Sequence, residues 1–202
     1  MRIVLASGNA HKARELGRLL DGWEVETFAG GLPEETGETF VENARLKARH
    51  VHAVLGGAEW VLADDSGIEA AALHGVPGVR SARYAGEDAT DEQNLAKLIG
   101  ALARSDDRRV RYVAELVAIA PGGGEVTARG ELTGTLAAAP RGTGGFGYDP
   151  LFEPLTEPPG GRTVGQMSQE EKDRISHRGR AARSMARYLK KRYRGEVRAA
   201  GG

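Results

Sequence analysis

The sequence predicts an α/β fold with a mixed sheet, and two observations lead to that prediction. Short apolar segments typical of buried strands alternate with longer segments whose apolar residues recur at helical spacing. Residues 110–120 and 125–136 alternate in polarity on either side of the glycine-rich turn at residues 121–124. Such a pair is typical of an antiparallel hairpin, so we expect mixed strand directions and not a purely parallel sheet.

The composition excludes several classes of protein. The 202 residues are enough for one domain with a core. The 28 Lys and Arg balance the 28 Asp and Glu, which argues against a nucleic-acid binder held by bulk charge. The absence of cysteine excludes disulfides and thiol catalysis, and no apolar run approaches the ~20 residues of a membrane helix. We therefore expect a cytoplasmic protein without a membrane segment or a stable nucleic-acid partner.

The first predicted strand, residues 2–6, leads through a polar turn into a helix predicted at residues 13–20. The turn consists of Ser7, Gly8, Asn9, Ala10, His11 and Lys12. Free N–H groups at a helix N-terminus favour an anion, to which Asn9 would add an amide donor and Lys12 a charge. The pattern is not a P-loop. A capped helix start with a solvated lysine explains it equally well, so this motif alone leaves both interpretations open.

After a short strand predicted at residues 24–28, a capping-box pattern at residues 39–42 predicts a helix that continues to about residue 55. This helix carries Lys47, which could reach a phosphate or be an ordinary solvated charge. The preceding loop contains Glu34 and Glu35. Acids in such a loop can complete a magnesium site, because magnesium takes oxygen ligands.

Two adjacent carboxylates follow the apolar segment at residues 60–63, which we predict to be a strand that ends at Asp64 and Asp65. Ligands of open α/β sheets bind at the carboxyl ends of strands. Adjacent acids there indicate a divalent cation, a proton to be moved or a helix N-terminus. Successive side chains of a strand point to opposite faces, so we expect one acid to face the substrate and the other to be metal-linked or structural.

A glycine-rich segment at residues 141–150 encloses one aromatic ring, Phe146, and then an acid, Asp149. A ring held between glycines can stack on a planar base, which is worth ~1–3 kcal/mol. The alternative is a glycine-rich turn with Phe146 in the core. Between this segment and the acidic pair, a long connection at residues 75–84 carries two arginines, and a capping box at residues 90–93 predicts another helix.

Near the end of the chain, a capping box at residues 168–171 predicts a short helix that contains Lys172. His177 and Arg178 follow, and we expect the last helix to begin at about Gly179. A histidine beside an arginine is usually ordinary surface polarity. At a helix start, however, both side chains can point into a cleft as hydrogen-bond donors.

The last helix is basic over residues 180–194. Its predicted buried stripe consists of Ala182, Met185 and Leu189. We interpret the charges first as a solvated face and only second as an RNA-binding surface. An RNA-binding or nucleotide-sensing module without catalysis would bind polynucleotides with a steep salt dependence. Residues 198–202 are expected to form a frayed tail.

Five segments taken together resemble the inosine triphosphate pyrophosphatase family, whose members hydrolyse non-standard purine triphosphates. The segments are residues 7–12, 63–67, 81–84, 142–150 and 176–179. They span nearly the whole chain in the family's order. The resemblance implies a single domain over residues 1–202, with an elongated mixed sheet flanked by helices and two lobes that enclose the active site in a cleft. It also implies a homodimer.

The same resemblance implies a magnesium-dependent reaction in which dITP, ITP or XTP and water give the monophosphate and pyrophosphate. The residues that would hold the triphosphate are Ser7, Gly8, Asn9, Ala10, His11, Lys12 and Lys47. The residues that would hold the base are Phe146, Gly147, Tyr148, Asp149, Lys172, His177 and Arg178. Ser66 would touch the substrate. Glu34 and Asp65 would serve Mg²⁺, and Asp65 would also accept the proton of the attacking water.

Base choice is consistent with this assignment. Inosine and xanthine present a carbonyl oxygen at position 6, whereas adenine presents an amino group. Donors such as His177 and Arg178 would pair with the carbonyl and oppose the amino group, a mismatch of ~1–3 kcal/mol per group. Rejection of guanine, which has the same carbonyl, would depend on its 2-amino group and on pocket shape.

Two further alternatives remain from the sequence. A pyrimidine-directed nucleotide pyrophosphatase of the Maf type is the nearest, although the His177, Arg178 and Phe146 segments favour a purine. The triplet Asp65, Ser66 and Gly67 also resembles that of an aspartic protease. Such proteases need two facing carboxylates in a β-rich fold, whereas this triplet occurs once in a helix-rich pattern.

Overall fold

The computed structural model describes the backbone of residues 1–200 and the side chains of residues 1–191. The tail predicted at residues 198–202 lies outside the residues with described side chains. The strands are β1 (Arg2–Leu5), β2 (Glu24–Thr27), β3 (Val61–Ala70), β4 (Arg109–Ile119), β5 (Glu125–Leu136) and β6 (Phe152–Pro154). The helices are α1 (Ala10–Leu19), α2 (Phe40–Val54), α3 (Asp91–Ala101), α4 (Gln169–Ile175) and α5 (His177–Ala200).

The strands form one six-stranded sheet in the order β2-β1-β3-β4-β5-β6. β1 pairs in parallel with both β2 and β3, whereas β5 and β6 pair antiparallel. The predicted hairpin joins the neighbouring strands β4 and β5, and its turn is closed by a hydrogen bond of 2.8 Å from the Ala120 N–H to the Gly124 carbonyl. The prediction of a mixed α/β sheet with helices is therefore confirmed.

The chain divides into two compact units, each with its own apolar core. The first unit comprises residues 1–65 and 115–130 and the chain from Arg178 onward, and the second comprises residues 66–114 and 131–177. The core of the first unit contains small and branched residues of β1, α2, β3 and β4: Val4, Ala6, Ala44, Ala48, Val51, Val61, Ala63, Val117 and Ile119. The core of the second unit includes Ile68, Leu98, Tyr112, Leu136, Leu151 and Phe152.

Helix starts follow the capping residues. The capping boxes predicted at Thr39, Thr90 and Ser168 are all present. α1 begins at Ala10, earlier than the predicted residue 13, because the Asn9 side chain accepts hydrogen bonds from the N–H groups of His11 and Lys12 and so caps the helix. α5 likewise begins at His177, two residues before the predicted start at Gly179.

The prediction that the third strand ends at the two acids is wrong. β3 continues through Asp64 and Asp65 to Ala70, and residues 61–65 are all buried. Acids are rare in strands, and burying an unpaired carboxylate is costly. Cationic partners offset that cost for Asp64 and Asp65. Position 67 of this strand requires glycine, because the Cβ of any other residue would lie only 2.6 Å from the Gly78 carbonyl oxygen. No helix within the described part of the chain is long and apolar enough to cross a membrane.

Candidate active site

The turn between β1 and α1 presents backbone donors at a helix N-terminus. Asn9 Oδ1 accepts from the N–H groups of His11 at 2.9 Å and Lys12 at 3.2 Å, and Ser7 Oγ accepts from the Asn9 N–H at 3.2 Å. The first turn of α1 contains no acidic residue. The positive end of the helix dipole is therefore not neutralised by the helix itself, which suits an anionic ligand.

Asp64 is fully buried and binds two cations. Its Oδ1 lies 2.6 Å from Lys12 Nζ, and its Oδ2 accepts a hydrogen bond of 2.9 Å from Arg178 Nε. Burial alone would raise the pKa of Asp64, but the charges of Arg178 and Lys12 outweigh burial and hold the pKa well below its ordinary value. Asp64 is therefore a fixed anion that holds Lys12 at the N-terminus of α1.

Arg178 is buried among acids. Besides Asp64, it binds Glu15 of α1 through a contact of 2.5 Å between Nη1 and Oε2. Burial opposes the charged form, but Asp64 and Glu15 raise the pKa of Arg178 above its ordinary value. Two acids and the guanidinium thus connect α1, β3 and the start of α5. The sequence pattern did not indicate Glu15, because an acid on a short helix is usually solvated.

Asp65 pairs with a different cation from those that bind Asp64. Lys47 Nζ donates to Asp65 Oδ1 at 3.0 Å, to the Asp64 carbonyl at 2.9 Å and to Glu35 Oε1 at 2.7 Å. Burial raises the pKa of Asp65, and Lys47 only partly opposes that shift. Asp65 Oδ2 is buried and has no hydrogen-bond partner. An unsatisfied buried carboxylate oxygen is costly in a folded protein, so this atom marks a place for a ligand.

The loop that carries Glu34 and Glu35 is attached to α2 at both ends. Asn43 Oδ1 accepts from the Gly37 N–H at 2.7 Å, and the His50 ring lies 3.0 Å from the Gly31 carbonyl oxygen. The loop therefore brings Glu35, which is half-buried, onto Lys47, while Glu34 is exposed. The loop pattern did not distinguish these neighbouring acids, and the resemblance assigned Glu34, not Glu35, to the metal.

The donor set suits a hard cation with few protein ligands. Among the residues that the structure describes, no group of three or more His, Cys, Asp and Glu could hold a metal ion. Magnesium commonly uses one or two carboxylates and takes its other ligands from water and substrate phosphates. The unpartnered Oδ2 of Asp65 and the nearby carboxylate of Glu35 fit that pattern.

In the second unit, residues 142–150 form a tight segment that we call the glycine loop. Asp149 holds it from inside: its Oδ2 accepts from the Phe146 N–H at 3.0 Å and from Lys172 Nζ at 2.7 Å, and its Oδ1 accepts from the Tyr112 hydroxyl at 3.1 Å. A Cβ at Gly145 would collide with the Asp149 carboxylate, and Gly145 has a φ of 75°. Glycine is therefore required there.

The glycine loop directs Tyr148 inward and leaves Phe146 half-buried. The Tyr148 hydroxyl donates to the Ser81 carbonyl at 2.9 Å, and burial raises the pKa of Tyr148. Lys172 Nζ lies 4.7 Å from the centre of the Phe146 ring, a cation–π distance. Ser81, which belongs to the motif at residues 81–84, thereby gains a role that the sequence did not assign.

His177 stacks on Tyr112, with ring centres 4.5 Å apart and planes inclined by 19°. Tyr112 stacks in turn on Phe152 at 4.3 Å. His177 belongs to the second unit, whereas Arg178 belongs to the first. The structure thus collects the predicted site residues into two clusters: Lys12, Lys47, Asp64 and Asp65 in the first unit, and Phe146, Asp149, Lys172 and His177 in the second. Ser66 begins the second unit and is half-buried.

A helix N-terminus that suits an anion, a buried acid with an unpartnered oxygen and an aromatic loop together indicate the general class of nucleotide-binding proteins. The chain matches the model of the Ham1 family over residues 3–188. It belongs to the Ham1 family, and this confirms the resemblance found in the sequence.

Curated relatives of this chain cover most of its length. A dITP/XTP pyrophosphatase of Syntrophobacter fumaroxidans is 46% identical over 191 residues, which are 92% of this chain and 80% of the relative. The dITP/XTP pyrophosphatase of Shigella flexneri is 45% identical over 189 residues, or 89% and 93% of the two chains. That of Thermus thermophilus is 46% identical over 192 residues, or 92% and 90%.

Solved structures share the fold. A HAM1 protein from Coxiella burnetii superposes with a TM-score of 0.83 at 39% identity and covers 95% of this chain and 99% of its own. The Ham1 protein of Staphylococcus aureus gives a TM-score of 0.82 at 36% identity, with coverage of 95% and 100%.

Proposed function

We propose that this chain is a nucleoside triphosphate pyrophosphohydrolase that converts dITP, ITP or XTP and water to the monophosphate and pyrophosphate. The observation that carries the proposal is Asp65, a buried carboxylate that is held by Lys47 and has one oxygen without a partner. The names of the curated relatives support the same substrate class.

The triphosphate binds at the turn of residues 7–12. Backbone N–H groups at the start of α1 and the charge of Lys12 attract the phosphate oxygens. Lys12 is held in place by Asp64 at 2.6 Å, so little side-chain freedom is lost when the substrate binds. Lys47 is a second cation. Burial opposes its charged form, but Asp65 and Glu35 outweigh burial and raise the pKa of Lys47, so it stays charged at neutral pH.

Asp65 accepts the proton of the attacking water. General bases work best when their pKa approaches the working pH, and burial moves the pKa of Asp65 upward in that direction. Its Oδ2 has no hydrogen-bond partner and can receive the proton, while Oδ1 is fixed by Lys47. Asp65 therefore combines a fixed orientation with an available acceptor atom.

Asp65 and Glu35 are the residues that would hold Mg²⁺. When bound, the ion would neutralise charge on the phosphate oxygens and polarise the phosphoryl group. Of the two loop acids, the contact with Lys47 favours Glu35 over Glu34, although the resemblance predicts Glu34. Glu34 remains the alternative ligand from the same loop.

The glycine loop and its neighbours hold the base. The Phe146 ring stacks on the purine, and Lys172 beside it is a donor that suits a carbonyl oxygen at position 6. His177 and Arg178 keep the base contacts that the resemblance predicts. The ion pairs of Arg178 with Asp64 and Glu15 support an additional role in fixing the start of α5.

The experiment that tests the proposal is pyrophosphate release from ITP, XTP, GTP and ATP, with magnesium and again with EDTA. We expect rapid release from ITP and XTP, slow release from GTP and ATP, and loss of activity with EDTA. Orthophosphate as the product, or equal rates with ATP, would contradict the proposal. Two further substrates test the alternatives: faster release from UTP than from ITP would favour the Maf-type enzyme, and cleavage of a peptide that resists EDTA would favour the protease.

Phe146→Ala is expected to raise KM for ITP by about 5- to 100-fold, because loss of base stacking removes ~1–3 kcal/mol. The effect on kcat should be smaller, since stacking acts on the bound base and Phe146 is not proposed to take part in proton transfer. Steady-state kinetics measures both constants, and Phe146→Tyr, which retains a ring, is the matched control. Unchanged KM in Phe146→Ala would exclude stacking.

The homodimer and the cytoplasmic location that the sequence suggests remain predictions. Sedimentation of the purified chain at micromolar concentration measures the first.

A further inference from the structure

We infer that Asp91, the first residue of α3, is a positioning residue that sets the orientation of Phe146 and so the strength of its stacking on the base. The inference rests on the proposed function. Its starting point is a hydrogen bond of 2.7 Å in which the Gly147 N–H donates to Asp91 Oδ2. Gly147 directly follows the aromatic residue that is proposed to stack on the base.

Asp91 is exposed, but it stands on a helix start that is fixed. The Thr90 side chain accepts from the Gln93 N–H and caps α3, and the Thr90 N–H donates to Gln93 Oε1 at 2.8 Å. One turn into the helix, buried Asn94 donates to the Ala82 carbonyl at 3.1 Å and accepts from the Ala85 N–H at 2.8 Å. The helix start that carries Asp91 is therefore fixed to the preceding segment of the second unit.

Two carboxylates hold consecutive N–H groups of the glycine loop. Asp149 binds the Phe146 N–H at 3.0 Å, and Asp91 binds the Gly147 N–H. The peptide groups on both sides of the Phe146 Cα are thus fixed, which defines the direction in which its side chain leaves the backbone. Gly147 has a φ of 61°, a conformation that few residues other than glycine adopt readily.

Apolar packing does not replace the contact with Asp91. A pocket of about 460 Å³ lies between α3 and part of the glycine loop, and its apolar walls include Leu95, Ile99, Pro140 and Pro150. Residues 142–147 border this pocket, so apolar packing against α3 does not hold this part of the loop in place. Asp91 therefore fixes the position of the Gly147 peptide group, which the apolar core does not fix.

The test compares Asp91→Ala with Asp91→Asn, which keeps an acceptor oxygen, and with Glu92→Ala. Glu92 is an exposed acid of the same helical turn, so its variant controls for lost charge at the start of α3. The readouts are KM and kcat for ITP and GTP, calorimetric Kd for ITP without divalent ion, and hydrogen exchange of the Gly147 amide.

We expect Asp91→Ala to raise KM and Kd for ITP by about tenfold, as the loss of one charge-assisted hydrogen bond would, with kcat changed less than about threefold. KM for GTP should rise together with KM for ITP, since stacking is available to either base, and the Gly147 amide should exchange faster. Asp91→Asn should recover most of the affinity, and Glu92→Ala should behave like the unchanged protein.

Equal effects of Asp91→Ala and Glu92→Ala, or unchanged Kd and unchanged exchange in Asp91→Ala, would overturn the inference. If the unchanged protein releases no pyrophosphate from any purine triphosphate, the proposed function fails. The Kd and exchange measurements would still decide whether Asp91 positions the loop, so the two failures are distinguishable.

Discussion

Asp65→Asn is expected to lower kcat for ITP by about 10²- to 10⁴-fold, the usual contribution of a general base. Asparagine has nearly the same size, but its amide cannot accept a proton from water at neutral pH. Lys47 retains its contact with Glu35 at 2.7 Å in this variant, so its charge is not left isolated. Pyrophosphate release in single-turnover experiments measures the change without a contribution from product release.

The control for this variant is Glu38→Gln, which changes an exposed acid at the end of the same loop. Its kcat should stay within about twofold of the unchanged protein, as expected for an exposed residue outside the site. The unfolding temperatures of both variants should be close to that of the original chain. Near-normal turnover by folded Asp65→Asn protein would exclude Asp65 as the base.

Asp64→Asn should instead destabilise the fold by about 3–5 kcal/mol at neutral pH, because it removes the anion between two cations in a buried cluster. Arg178 is fully buried and would keep Glu15 as a charged partner. Lys12 would lose its contact of 2.6 Å. Urea unfolding of the two proteins at matched pH measures the difference.

The pH dependence of that difference follows from the depressed pKa of Asp64. The folded state holds this pKa below the value of about 3.9 that an unfolded aspartate has. The stabilisation is therefore fully present above about pH 4 and is lost as the pH falls through the folded-state pKa. The gap in stability between the original chain and Asp64→Asn should narrow on acidification.

Asp107→Asn is the matched control for this measurement. Asp107 also has a lowered pKa, of about 2, because the Arg109 side chain donates to it, but the pair is exposed. Solvent screens such a pair, so its removal should change stability little. A similar small change in Asp64→Asn would show that the buried cluster does not stabilise the fold.

Local features of the fold followed directly from the sequence. The capping boxes at Thr39, Thr90 and Ser168 start helices as predicted, and the hairpin of β4 and β5 follows its turn. These patterns work because each depends on side chains within a few residues of the backbone that they serve. The buried stripe predicted for α5 is also confirmed, because the helical repeat places Ala182, Met185 and Leu189 on one face, and all three are almost fully buried.

Errors at element boundaries have a different origin. The two acids were expected to end β3, but the strand continues to Ala70 because Asp64 and Asp65 find cations elsewhere in the chain. Strand propensity describes an average environment, and specific partners override it. α1 starts earlier than predicted because Asn9 is its N-cap. Several polar residues of the turn could have capped the helix, and the sequence did not show which one does.

Side-chain partners within the first unit were decided only by the tertiary structure. Arg178 lies 114 positions from Asp64 and 163 positions from Glu15 in the sequence, and it binds both. No periodicity or spacing rule spans such separations. The sequence did predict the chemical groups of the site, which are two acids, two lysines and a glycine-rich aromatic loop. Which acid binds which cation, and which of Glu34 and Glu35 meets Lys47, depends on buried ion pairs that form only when distant segments pack together.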